Sequence, residues 1–405
     1  MSPKQLKGAN KVNNSYLLDF PVTEYETRFD RLVSEMNENN IDAVILTTKE
    51  NTRYFTGYQI IVWDSGISKP AVAIVTKDRE ITMISGYSNR GMLEASTWVK
   101  DFRIWDPLGR DGAITNLPEC IFSVLEEKGL TKGNIGMEIG TGFRLHLNNS
   151  DYNKLMGYLN NATIKDAAPL IWNIRSIKSS LEIEKIKHVC DINIKAYDKA
   201  MDSIYAGMSE KELFQNIAKY MFEFGAEEVF PLGIRAGSDR YEDANSPPSA
   251  RPFAKQEMIL IDGGPGCHGY YSDIIRQAII GEPTDRQKEL YDFAVSACEK
   301  GLDSIQPGMT SGELCQIVDD YVDVKGYGEI YGSRGWLGHS IGVSIHEVPI
   351  IEKGADIVLE PGMVLAIEPF VLEKGVGRFG IEENILITEN GYELLTPLSR
   401  DLRII

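Results

Sequence analysis

The stretch Met258–Gln277, MILIDGGPGCHGYYSDIIRQ, constrains the fold of this chain more than any other. Asp262 ends the apolar run Met258-Ile259-Leu260-Ile261, which is short, rich in β-branched residues and stopped by Gly263-Gly264, and so reads as a buried strand. Asp273 opens a second run, Ile274-Ile275, that continues through Ala278-Ile279-Ile280. Glycines at 263, 264, 266 and 269 fill the gap, which predicts a strand–turn–strand hairpin with the two carboxylates on one face. A buried charge must be paired or bound to metal. The alternative is a pair of hydrogen-bonded turn aspartates, a common use of Asp.

Three later stretches bear on that choice. Gly338-His339-Ser340-Ile341-Gly342 is followed by His346-Glu347-Val348-Pro349, then by EPGMVLAIEP over 360–369 and by GIEENILIT over 380–388. Glu368 and Glu382 sit within or beside apolar, strand-like runs. Two Asp, one His and two Glu make the hard-to-borderline donor set that suits a pair of divalent first-row ions such as Mn, Co, Fe or Zn.

With these neighbours, the order Asp262, Asp273, His339, Glu368, Glu382 resembles the pita-bread metallohydrolases, the M24 family of methionine aminopeptidases, Xaa-Pro aminopeptidases and prolidases, with creatinase as a metal-free relative. The resemblance is strong over about 170–405 and looser before it, where the layout is that of the creatinase, prolidase and aminopeptidase P branch. It implies an N-terminal creatinase/prolidase-like α/β domain over 1–170 and a pita-bread catalytic domain over 171–405, in which helices back a curved antiparallel sheet. It also implies two divalent ions, Mn before Co, Fe or Zn. Asp262 would bind one ion, His339 and Glu368 the other, and Asp273 and Glu382 would bridge. The expected reaction is cleavage of a small peptide or amide by a metal-bridged hydroxide, with Glu368 as general base. His346 would hold the substrate or donate to the tetrahedral intermediate, and Glu347 and Pro349 would shape the pocket. Asn51, Arg53, Tyr54 and Phe55 are either substrate residues reaching a partner's site in a homodimer or part of a buried aromatic core. Glu383 is either a partner to the ligands or a charge beside them.

Two departures from the family pattern touch the substrate side. Relatives usually carry a histidine between the second helix region and the first metal strand; here residues 237–247 hold none, and Asn245 stands about where it would be. Asn donates hydrogen bonds but cannot shuttle a proton. Many relatives also have Arg two residues before the last glutamate, where this chain has Gly380, with Arg378 two residues further back. The first expectation is therefore an Xaa-Pro dipeptidase or aminopeptidase. The second is a creatinase-like hydrolase or lyase acting on a small nitrogenous or zwitterionic metabolite. A non-catalytic binding module on the same scaffold would have lost metal ligands, and this chain keeps all five.

Composition sets the remaining bounds. With 405 residues, 43% hydrophobic and 25% charged, the chain can build two or three ordinary domains. A net charge of −17 argues against a nucleic-acid surface. The five cysteines, 120, 190, 267, 298 and 315, are odd in number and widely spaced, as in a reduced cytoplasmic protein. Cys267 and His268 lie in the hairpin, but no second cysteine is near, so Cys267 reads as a packing thiol and His268, like His146 and His188, as structural or exposed. The N-terminus lacks the apolar core of a signal peptide, and no run approaches the ~18 residues of a membrane span.

Local signals place the helices and strands. An amphipathic helix is expected over 24–39, with further helices near 115–129 and 149–160, and strands at 43–48, 71–76, 81–85, 102–105 and 135–139. The segment 171–178 reads as a join. Capping signals at Ser179–Glu182, Ser209–Glu212 and Thr310–Glu313 open helices to about 201, 224 and 325, and another is expected over 284–304.

Overall fold

The computed structural model describes residues 17–63, 65, 69–229, 232–243 and 246–405. The chain divides into two compact units, one ending at Ile174 and the other spanning Arg175–Ile405.

In the first unit six strands form one sheet in the order β4-β3-β2-β1-β5-β6: β1 (Ala43–Leu46), β2 (Val72–Thr76), β3 (Ile81–Gly86), β4 (Asp101–Trp105), β5 (Asn134–Met137) and β6 (Thr163–Asp166). β2 runs antiparallel to both β1 and β3, and the remaining pairs are parallel. The helices are α1 (Val22–Glu38), α2 (Lys49–Thr56), α3 (Arg90–Ser96), α4 (Leu117–Glu127), α5 (Asn149–Tyr158) and α6 (Ala168–Ser176). Residues 49–56 form a helix, capped by the Thr48 side chain and closed by Gly57 at φ +77°. The join at 171–178 is largely helical, as the end of α6.

The second unit has four long helices. α7 (Ser180–Met201), α9 (Asp285–Ser304) and α10 (Ser311–Val324) each start at a capping box, from Ser179 and Glu182, Thr284 and Gln287, and Thr310 and Glu313. In α8 (Glu210–Glu223), Ser209 accepts from the Glu212 backbone. Two short strands, β7 (Glu228–Val229) and β8 (Gly233–Ala236), precede the hairpin, which comprises β9 (Met258–Gly263), β10 (Pro265–Cys267), β11 (Tyr270–Tyr271) and β12 (Ile274–Ile279). Eight more strands follow α10: β13 (Trp336–Ser340), β14 (Glu347–Glu352), β15 (Val364–Ile367), β16 (Phe370–Glu373), β17 (Gly377–Gly380), β18 (Glu383–Thr388), β19 (Gly391–Leu394) and β20 (Arg403–Ile404). They assemble as sheets β20-β12-β9-β8 and β14-β13-β15-β18-β19, with the smaller β11-β10-β7 and β16-β17. Every pairing is antiparallel except β12 with β20.

Each large sheet has its own helix layer. Ile217 and Met221 of α8 and Tyr197 of α7 join Ile259, Ile261 and Ile274 in one core. Leu290, Ala294 and Cys298 of α9 and Leu314 and Val318 of α10 join Leu337, Leu365 and Ile385 in the other. The apolar positions of α9 recur at helical spacing, and each buried Leu contributes about 1.5–3 kcal/mol. These layers fix the backbone on which the acidic residues stand.

Candidate metal centre

The hairpin forms as its sequence predicts. Asp262 pairs across the ladder with Ile275, and Ile274 with Gly263, so Asp273 sits one residue before β12 and close to Asp262. The turn needs glycine at 264, where a Cβ would lie 1.9 Å from the Ser272 carbonyl oxygen. α7 grips this corner: Tyr197 Oη donates to the Gly263 carbonyl at 2.8 Å, and Asn193 Nδ2 donates to the same oxygen at 3.2 Å. His339 comes from β13, where Gly338 lets Ala366 of β15 approach; a Cβ there would meet the Ala366 oxygen at 2.0 Å. Glu368 follows β15 directly, and Glu382 directly precedes β18.

The five residues converge. Ligand atoms of Asp262, Asp273 and Glu382 lie within 4.8 Å of one another, as do those of His339, Glu368 and Glu382, and those of Asp273, His339 and His346. His339 is fully buried. Its Nδ1 lies 3.0 Å from the Ser340 carbonyl, which can only accept, so Nδ1 carries the proton and Nε2 faces the acids. Nε2 is 3.2 Å from Glu368 Oε1 and 3.9 Å from both Asp273 Oδ2 and Glu382 Oε1. A backbone carbonyl fixing the far nitrogen is the usual support of a metal-ligating imidazole.

Four carboxylates in one buried pocket repel each other. Burial, then neighbouring acids, hold Asp273 and Glu382 well above the usual carboxylate range. Asp262 and Glu368 are raised too, chiefly by burial, against the opposing pull of Arg235 on the first and His339 on the second. Asp273 Oδ1 and both Glu382 carboxylate oxygens are buried without a hydrogen-bond partner. Buried acceptors are almost always satisfied, and orphaned acidic oxygens facing an imidazole suit a divalent cation, which would also reverse the shifts. The donor set and these orphaned oxygens therefore fit metal binding.

The surrounding shell was only partly visible in the sequence. Asn384 is fully buried and holds the hairpin, its Oδ1 accepting from the Asp273 backbone and Ser272 Oγ, both at 3.0 Å, and its Nδ2 donating to the Asp273 carbonyl at 2.5 Å. Arg276 is buried in β12 and donates to the Glu382 carbonyl at 2.8 Å. A lone arginine inside the apolar strand IIRQAI was the available signal, because a buried charge demands a partner. Arg235 bonds Asp262 Oδ2 at 2.9 Å. It stands two residues beyond Gly233, the residue directly opposite Asp262, and so on the same face of the sheet.

His346 stands at the rim, its ring centroid 4.2 Å from that of His339; burial, then His339, push it down to about 4. Glu347 lies outside the acidic pocket, buried against Arg175 and Lys178. Glu383 pairs with Arg276 and Arg400 at 2.9 and 2.8 Å, and Arg276 joins it to the Glu382 backbone. Tyr54, only 2% exposed, lies in the core of the first unit with the Arg28 guanidinium 4.0 Å above its ring. Arg53 is held by Asp19 at 2.7 Å. Asn245 lies outside the described residues. Cys267 is buried against Val189 and Ile192, while His268 is exposed, with its Nδ1 3.2 Å from Glu227 Oε1. His146 accepts from Trp63 Nε1 at 2.8 Å. Among the described residues no helix is long and apolar enough to cross a membrane.

Known proteins resemble this chain over nearly its whole length. The creatinase/prolidase N-terminal domain matches residues 28–177. Over 382 residues the chain is 29% identical to the Xaa-Pro dipeptidase of Pyrococcus furiosus, covering 93% of this chain and 99% of that one. The structure of an Xaa-Pro dipeptidase from Bacillus anthracis superposes with a TM-score of 0.81 at 27% identity, covering 94% of this chain and all (100%) of that one. The prolidase from Pyrococcus horikoshii gives a TM-score of 0.79 at 27% identity, covering 93% and 99%. The second unit thus has the pita-bread fold. The model of metallopeptidase family M24 matches residues 184–389, about half of the chain, and the protein belongs to that family of metal-dependent peptidases.

Proposed function

We propose that the protein is a dinuclear Xaa-Pro dipeptidase, with residues 171–405 as its catalytic domain. The observation that carries this reading is the cluster of buried, unpartnered carboxylate oxygens on Asp273 and Glu382 beside His339. The named activity of the Pyrococcus and Bacillus relatives supports the substrate class. Asp262 would hold one ion, His339 and Glu368 the other, and Asp273 and Glu382 would serve both. Two such ions supply the charge that polarises an amide carbonyl and acidifies water. Glu368, whose Oε1 lies 3.2 Å from His339 Nε2 within the cluster, is the general base of this reading. His346, pushed down to about 4, is neutral at pH 7 and offers an N–H to the substrate without adding charge. The reading includes Mn as first choice of ion, a homodimer and a cytoplasmic location.

The test is hydrolysis of Xaa-Pro dipeptides by the purified protein with Mn, alongside metal analysis. Two ions per chain with release of free proline is the expected result. Bound metal without proline release would defeat the dipeptidase reading and favour a small zwitterionic metabolite as substrate. The cationic side chains Arg235 and Arg378 beside Asp262 suit that second reading.

A further inference from the structure

A second cluster of metal-type donors stands at the turn between β10 and β11. Donor atoms of Glu227, Cys267 and His268 all lie within 4.8 Å of one another. Cys267 closes β10, His268 and Gly269 turn the chain, and Glu227 comes from the link between α8 and β7. His268 and Gly269 have φ of +50° and +76°, and Cys267 pairs across the ladder with Tyr270, as in a two-residue hairpin turn with both central residues left-handed. Cys267 is thereby sent inward against Val189 and Ile192 of α7, while His268 stays outside. His188, exposed on α7 beside Val189, faces His268 with ring centroids 6.4 Å apart.

These donors differ in kind from those of the acidic centre. Four carboxylates and one imidazole make an oxygen-rich set that suits Mn, whereas thiolate with imidazole selects Zn. One edge of a tetrahedral site is already in place. His268 Nδ1 is 3.2 Å from Glu227 Oε1, and two ligands each about 2.0 Å from a tetrahedral zinc stand about 3.3 Å apart. The other Glu227 oxygen accepts from the His268 backbone N–H at 2.8 Å, which aims the carboxylate. An exposed side chain such as His188 changes rotamer freely, so its ring can close on the remaining position. The other cysteines offer no comparable ligand: burial pushes the thiols of Cys120, Cys190 and Cys315 up to about 12 and raises that of Cys298.

We propose that Glu227, Cys267 and His268, completed by His188, form a zinc site apart from the acidic centre. On binding, the Cys267 thiol releases its proton to solvent and a zinc–sulfur bond takes its place. The ion joins the β10–β11 turn to α7, the helix whose Asn193 and Tyr197 already hold the Gly263 carbonyl of the same hairpin. The inference does not depend on the dipeptidase reading.

Co is the probe, because a thiolate bound to Co absorbs in the near ultraviolet and the acidic centre has no sulfur. Titration of the full chain with Co should produce this absorption, and added Zn should abolish it by displacement. Cys267→Ser should remove the absorption and weaken the ion at least about tenfold, since losing even a supporting group of a metal site costs that much. His268→Asn keeps a residue that tolerates the left-handed turn, should weaken the ion comparably, and serves in its place if Cys267→Ser does not fold. His188→Ala should weaken the ion about tenfold; unchanged affinity overturns His188 as the fourth ligand. Glu382→Gln should lose metal at the acidic centre and keep the thiolate absorption, so failure of the dipeptidase reading leaves this result standing. No thiolate absorption in wild type, or the same absorption in Cys267→Ser, overturns the site.

Discussion

Glu382 and Glu383 are neighbours in sequence and both fully buried, yet they live in opposite electrostatic worlds. Glu383 has Arg276 and Arg400 against one oxygen and the Thr396 hydroxyl against the other, at 2.9, 2.8 and 2.6 Å. Glu382 has no partner on either oxygen and faces other acids. The buried group of Glu347 with Arg175 and Lys178 belongs with Glu383: burial pushes the Glu347 carboxyl up, but the two cations outweigh it and hold it below its ordinary range. A buried charge compensated from within the chain is part of the fold. One left uncompensated destabilises the folded state and is retained where a ligand from outside completes it.

The largest expected effect lies on the uncompensated side. Glu382→Gln or Asp273→Asn should lower kcat/KM on the order of 10³-fold and weaken metal binding. In the metal-free state the same variants should melt at or above wild type, because each removes a repelled buried charge. Calorimetry on chelator-treated protein checks this, and a metal-free variant melting well below wild type would mean that the acids hold the fold together.

Glu383→Gln should do the reverse. It strands Arg276 in the core of the second unit, and breaking a buried pair in this way costs about 3–5 kcal/mol. Metal stoichiometry of the protein that folds should stay at the wild-type value. A thermal melt with metal analysis separates the two adjacent glutamates. Lost metal at unchanged stability would erase the contrast.

The same contrast predicts a pH signature. Asp273 and Glu382 are raised above their ordinary values of 3.8 and 4.5 when no metal is bound. A folded state that holds protons more tightly than the unfolded chain is stabilised at low pH and loses that stability as pH rises through the raised values. Metal-free protein should therefore lose Tm as pH climbs above about 4.5 toward neutrality, and added Mn should restore it. The Tm gain from Mn should grow steadily with pH, as measured by scanning calorimetry in matched buffers. A gain independent of pH would place the ions elsewhere.

How much of this was legible depended on range. The hairpin around Asp262 and Asp273 was readable because apolar runs and glycines are local signals, and the capping boxes of α7 and α10 were readable for the same reason. The convergence of five ligand-type residues followed from a resemblance and from nothing in their spacing, since His339 is 77 residues from Asp262 by number (339 − 262). Asn384 was hidden because its hydrogen bonds cross from β18 to the hairpin, and an Asn in an apolar run has no local signature of that reach. The same limit left Glu383 and Tyr54 undecided: a strand alternates its faces, and an aromatic residue near a charged one looks alike in a core and at a substrate edge.

A third kind of charge sharpens the comparison by its weakness. Asp191 and Lys195 lie one turn apart on α7, 2.5 Å from each other, and both side chains are about half exposed, at 52% and 53%. Water already compensates each of them, so their pairing changes little between folded and unfolded states. Asp191→Asn should shift stability by less than about 0.5 kcal/mol, and less still at high salt. Denaturant midpoints at low and high ionic strength measure this. A shift above about 1 kcal/mol would show that proximity within the fold, and not burial without a partner, decides what a charge is worth in this chain, and the distinction between Glu382 and Glu383 would then need another cause.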